Sequence, residues 1–222
     1  VIKKILFTVV VILFISVTLL FPFGHYFMNH DFFHNEFIKT GTYERLGVKK
    51  TTMITENLFN FFKGKEDLGF FSKEEIRHWK DVKNLWDMGN VFYTILLILL
   101  FVTFLAFLFI EVNVTAIISR IKKLLLLSGI IGCMISTTFF FLASFAFVQS
   151  FDIFHLFFFK DNWWFGEGYL SFDYATQDFF KDAAVAISLF SLVVFLIYTV
   201  AGILIHVFTK ARKNTVTVNP KG

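Results

Sequence analysis

Four apolar runs, each free of Asp, Glu, Lys and Arg, leave this chain few folds to choose from. They cover about residues 5–23, 90–110, 124–148 and 183–208. A helix needs about 20 apolar residues to cross the hydrocarbon core, and each run is near or beyond that length. Lys3 and Lys4 precede the first run, as in a signal peptide. That run is longer than a signal core and no small-x-small cleavage site precedes Pro22, so a retained span is expected. The expected fold is an all-α membrane protein, one integral domain over 1–222 with four transmembrane helices. Its two large loops, 24–89 and 149–182, are expected to form a small, mainly helical cap.

Composition agrees: 56% of the 222 residues are hydrophobic and 35 are Phe. That usage lies far outside soluble globular proteins. The net charge of +4 is not gathered into a polar basic stripe, so nucleic acid is not an expected partner. The single cysteine, Cys133, sits in an apolar run and allows neither an intramolecular disulfide nor a cysteine zinc site. No cofactor is expected.

Charge placement predicts orientation. The N-terminus, the 111–123 connection and the tail are net basic. Loop 149–182 carries six acids against Lys160 and Lys181, and the first loop is near neutral. The excess of Lys and Arg on cytoplasmic segments then puts both termini in the cytoplasm and both large loops outside. In the first loop, 40–48 reads as a turn followed by a short extended piece. Residues 55–62 read as a short amphipathic helix capped by Thr55. Ser72, with Glu75 three residues on, carries a capping-box signature for a polar helix that runs into the second span.

That polar helix holds Arg77, His78, Asp81 and Lys83. Residues three and four apart share a helix face, so Asp81 is placed to orient the imidazole of His78. An imidazole beside a carboxylate is a proton-transfer unit, although ordinary surface pairs have the same spacing. The second loop brings His155, set among Phe154, Phe157 and Phe158, to about the same membrane depth as His78 on the same side. Ionisable groups at the edge of the apolar slab are costly and are candidates for function. His30 and His34 have metal-ligand spacing, but no third strong ligand lies nearby in sequence and no metal site is expected. His206 is placed at the cytoplasmic end of the last span, where a cation suits the helix C-terminus.

Taken together, Phe71-Ser72, Glu75, His78-x-x-Asp81-Val82-Lys83, four spans, Phe154-His155-Leu156-Phe157-Phe158 and Trp163 resemble the lipoprotein intramolecular transacylases, four-span proteins of Gram-positive bacteria. One difference is that 172–180 contains no proline. The resemblance implies an acyltransferase acting on diacylglyceryl-modified lipoproteins in the cell membrane. It would move one acyl chain from the sn-2 ester to the α-amine of the same N-terminal cysteine, giving the lyso-form. It further implies His78 and His155 as the essential extracytoplasmic pair, one acting as base. Asp81, Lys83 and Trp163 are the expected supporting residues, with Lys83 at the oxyanion or a lipid phosphate. Two alternatives stay open from the residues: a non-enzymatic accessory or assembly protein, and a lipid acyl hydrolase.

Overall fold

The computed structural model describes residues 1–111, 113–159 and 164–218, with side chains through residue 211. Its helices in chain order are α1 (Ile2–Phe27), α2 (His30–Lys39), α3 (Thr42–Leu46), α4 (Val48–Phe62), α5 (Lys73–Ile110), α6 (Val114–Phe145), α7 (Phe147–Phe158), α8 (Leu170–Tyr174) and α9 (Gln177–Val218). No strand occurs among the described residues. α1, α5, α6 and α9 are long and apolar enough to cross a membrane, so the chain is a multi-pass membrane protein.

Several local expectations change. The 40–48 segment is helical rather than extended: α3 is bracketed by Gly41 (φ 71°) and Gly47 (φ 79°), both in backbone conformations that favour glycine. Thr55 lies inside α4, not at its start, and its hydroxyl donates to the Thr51 carbonyl at 2.8 Å. The basic 114–123 stretch is continuous with the third apolar run as α6. That run then breaks at Ala146 (φ −132°, ψ 32°), and α7 begins. At 12 residues α7 is too short to span.

The fold divides into two compact units. The first comprises Val1–Pro22, Tyr93–Thr138 and Ser188–Gly222. Val10, Val11, Ile15, Leu124 and Phe195 are buried together there. Small residues let α6 and α9 approach closely, as membrane helices do where water cannot drive packing. A Cβ on Gly132 would collide with the Phe195 ring. One on Gly129 would meet Thr199 and the Phe195 carbonyl oxygen, the latter at 2.9 Å. Gly132→Val is expected to destabilise the protein by about 1–3 kcal/mol through overpacking. Thermal unfolding in detergent reads this directly, and an unchanged midpoint would refute the close α6–α9 approach.

The second unit comprises Phe23–Phe92 and Phe139–Ile187. It holds the polar helix, the short helices and both candidate histidines. Its core gathers Phe37, Ile54, Leu58, Phe61, Tyr174 and Phe179, among others. The rings meet mainly edge to face: Phe33 packs on Phe59 with centroids 5.0 Å apart and on Phe179 at 4.9 Å. Such pairs add to burial because ring edges are positive and faces negative. Phe27 stacks on Trp86 at 4.0 Å.

Candidate active site

The site is built outward from the start of α5. Ser72 and Glu75 cap that helix reciprocally: the Glu75 amide donates to Ser72 Oγ (3.3 Å), and the Ser72 amide donates to Glu75 Oε2 (2.8 Å). Glu75 is almost fully buried, and its other oxygen, Oε1, accepts from the Ser171 amide at 2.6 Å. Ser171 sits in the first turn of α8, where amides have no partner within the helix. Tyr169, the residue before α8, makes no side-chain cap. One carboxyl group therefore closes the starts of two helices. One turn on from Glu75, Trp79 Nε1 donates to Ser171 Oγ at 3.2 Å. Three residues on from Ser171, the fully buried Tyr174 shares a 2.8 Å hydrogen bond with Thr55 of α4. α8 is thereby clamped between α5 and α4.

His78 follows Glu75 by three residues, on the same side of α5. It is 8% exposed, as is His155 of α7. Their ring centroids lie 6.2 Å apart with planes 24° from parallel. Phe159 and Phe165 pack edge-on against His78 at 5.0 and 5.5 Å. Phe151 lies against His155 at 3.9 Å. Two imidazoles from segments 77 positions apart in the chain thus meet in a largely apolar setting.

His155 Nδ1 lies 2.8 Å from the Phe151 carbonyl oxygen. A carbonyl only accepts, so Nδ1 carries the hydrogen, and in the neutral ring Nε2 keeps its lone pair. His78 Nδ1 is buried without a hydrogen-bond partner. Burial holds His78 down to about 4, with the neighbouring His155 adding to the effect. Burial also lowers His155, but the Phe151 carbonyl and the charge of Asp152 act in the opposite direction. Both rings are therefore neutral at pH 7.

An ordinary imidazole titrates near 6.5, so on acidification the unfolded chain takes up these protons before the folded one. The stability that the pair contributes is complete above about pH 6.5 and is lost as pH falls toward about 4. The thermal midpoint in detergent should therefore fall further between pH 7.5 and 4.5 in the wild type than in a His78→Phe, His155→Phe double variant. Equal falls would contradict the burial of the pair.

A family model for the lipoprotein intramolecular transacylase Lit matches residues 2–177. The chain belongs to the Lit family. As a member, it is an acyltransferase. The structure is similar to that of the membrane-integral Lit of Bacillus cereus, with a TM-score of 0.77 at 17% identity over 96% of this chain and 98% of the other. Two forms of that protein with a histidine changed to alanine or to arginine also match. Both have a TM-score of 0.73 at 16% identity, over 95% and 96% of this chain and 96% and 95% of theirs. At such identity the likeness shows the fold. Among curated proteins there is no match.

Of the five residues expected from the sequence to form the Lit site, His78 and His155 come together and two others do not join them. Asp81 is exposed, and no hydrogen bond or ion pair among the described residues joins it to His78. The helix turns it outward, because the inward stripe runs through the buried Glu75 and Trp79 and the half-buried Val82, and Asp81 lies about 200° around from Trp79. Lys83 is tied down elsewhere: Nζ donates to the Phe62 carbonyl at the end of α4 (3.1 Å) and to Asp87 (2.7 Å). It closes a helix C-terminus, which favours a cation. Trp163 lies outside the described residues. His30 and His34 do not converge on one ligand: His30 faces Glu56 at 3.5 Å, and His34 pairs with the Tyr43 hydroxyl at 2.8 Å. His206 pairs with Lys122 at 3.3 Å.

Two residues near the pair carry more than the sequence reading gave them. Glu75 was legible as a cap, but its bond to Ser171, 96 positions away, has no local signature. Asp152 counted only as a loop acid. Its position three residues before His155, on a segment of helical pattern, was the available signal.

Proposed function

We propose that the protein moves one acyl chain of a diacylglyceryl-modified lipoprotein from the sn-2 ester to the α-amine of the same cysteine, and that His78 and His155 carry the reaction. The observation behind this reading is the pair itself: two buried, neutral imidazoles 6.2 Å apart in a chain of this family. The substrate brings its own nucleophile, so no serine or cysteine nucleophile is needed.

The free α-amine has a pKa of about 7.7–8 and arrives as an ammonium. It loses two protons in the reaction. His155 Nε2 takes one and returns it to the departing glycerol oxygen, and the other goes to solvent. The amine nitrogen attacks the ester carbonyl, the C–N bond forms and the ester C–O bond breaks. His155 suits the role of base because the Phe151 carbonyl and Asp152 both favour its cation. His78 stays neutral, and with its ring hydrogen on the unpartnered Nδ1 it donates to the ester carbonyl oxygen. Holding amine and ester together makes the step effectively unimolecular, a gain of roughly 7–11 kcal/mol when well oriented. Both termini lie in the cytoplasm, and the pair faces the other side of the membrane, where mature lipoproteins are anchored.

The transfer is an isomerisation, so total lipoprotein mass does not change. The position of the acyl chain is therefore what must be read. The chain is expressed in a bacterium lacking other N-acylation, and the N-terminal lipopeptide is fragmented by mass spectrometry. An amide-linked acyl group and a single glycerol ester are expected. A free amine with both esters intact would refute the proposal, and release of free fatty acid would mark a hydrolase instead.

A further inference from the structure

Beside the histidine pair a second buried polar atom lacks a protein partner. It is Asp152 Oδ1, on α7 one turn before His155. Residues three apart on a helix are neighbours on one face, so this carboxyl group and the His155 ring share a side of α7. Asp152 also acts electrostatically on His155. A buried carboxyl oxygen without a hydrogen-bond donor is costly, and such an atom in a native structure calls for an explanation.

The surrounding charged groups do not supply one. On α7 the neighbour is His155, which in turn faces His78 of α5, and both rings are neutral at pH 7. The carboxyl group of Glu75 is taken up by Ser72 and Ser171. On α9, Asp178 and Lys181 line a cavity of about 290 Å³ with Gln149 of α7. No ion pair among the described residues joins Lys181 to Asp152.

The substrate of the proposed transfer presents two complementary groups: an ammonium, which only donates, and an ester carbonyl, which only accepts. His78 Nδ1 answers the second. We propose that Asp152 binds the α-ammonium of the lipoprotein cysteine and sets it against Nε2 of His155. This rests on the acyl-transfer reading above. Asp152 then selects substrates with a free, charged amine, and a lipoprotein already N-acylated is refused because its amide offers no charge to the half-buried carboxylate.

The test uses the full-length protein in detergent with a synthetic diacylglyceryl-cysteinyl peptide, and follows kcat and KM from pH 6 to 9.5 for the wild type and Asp152→Asn. Losing one charge-assisted contact predicts a fall in kcat/KM of about 10- to 100-fold below pH 7, carried mainly by KM. The deficit is expected to shrink above pH 8, where the amine is neutral and there is no charge left to recognise. A role limited to the titration of His155 would instead shift the acid limb of the profile. A purely structural role would lower activity equally at every pH. Either result, or unchanged kinetics, overturns the proposal. If the Asn variant does not accumulate, wild-type affinity for the peptide and for its desamino analogue is compared at pH 6.5. Tighter binding of the amine form by about 10-fold or more is expected, and equal affinities overturn the proposal. Wild-type protein that yields no amide-linked product would sink the acyl-transfer reading itself, whereas an active wild type with an indifferent Asp152→Asn sinks only this inference.

Discussion

His78→Ala and His155→Ala are each expected to lower the rate of acyl transfer by about 10²–10⁴-fold while leaving the protein folded, the range for loss of a positioned acid or base. The two losses should not add, because the two rings act on the same chemical step with their centroids 6.2 Å apart. The double variant is expected to be little worse than the poorer single variant. The variants should also differ in character. Without His155 the amine keeps its proton, so alkaline pH restores part of the rate. Without His78 the ester carbonyl loses its donor, and alkaline pH restores nothing. Rates from pH 6.5 to 9.5, with thermal unfolding to verify the fold, decide this. Full activity in either variant would refute the shared role.

The largest structural effect is expected at Glu75. Its carboxyl group accepts from two backbone amides at the starts of different helices and is nearly inaccessible to water. Glu75→Ala leaves the Ser72 and Ser171 amides without acceptors, at a cost of about 1–3 kcal/mol each. The sum is a large share of the 5–15 kcal/mol that typically separates a folded domain from its unfolded state. Glu75→Gln keeps one acceptor oxygen but turns an amide donor toward the other N–H, so about half of the loss is expected. Ser171→Ala is the control: it keeps the backbone bond to Glu75 and removes only the 3.2 Å contact with Trp79, about 1 kcal/mol. Thermal unfolding in detergent should rank the variants Ala at 75, Gln at 75, Ala at 171, from least to most stable. A Glu75→Ala protein as stable as the Ser171→Ala control would show that the carboxyl bridge does not hold α8.

The four spans were legible because hydrocarbon imposes a minimum length on any crossing helix, and that length stands out in the chain. The Ser72–Glu75 cap was legible because both its partners are local. Other features lacked such a signal. The break at Ala146 falls inside unbroken apolar sequence, Phe145-Ala146-Phe147, where hydropathy is blind to backbone geometry. α3 has no helical signature in the sequence, because its few residues lie between two glycines and carry no helical period. Asp81 has the right spacing to His78, but spacing says nothing about which way the helix faces. The inward stripe of Glu75, Trp79 and Val82 was the better guide. The meeting of His78 with His155 follows from tertiary packing; spacing and charge offered only a shared membrane depth, and it was the family resemblance that named the two as a pair.

The central claim is that donor ester and acceptor amine belong to one lipoprotein held at the histidine pair. A crossover measurement tests it most directly. Purified protein is given two lipopeptides of different sequence, one with isotope-labelled acyl chains, and the amide-linked acyl group on each is identified by fragmentation. The expected result is that each amine carries only the acyl chain of its own glycerol, and that neither His78→Ala nor His155→Ala forms this amide at the wild-type rate. Labelled chains exchanged between the two peptides, or free fatty acid without amide, would contradict it.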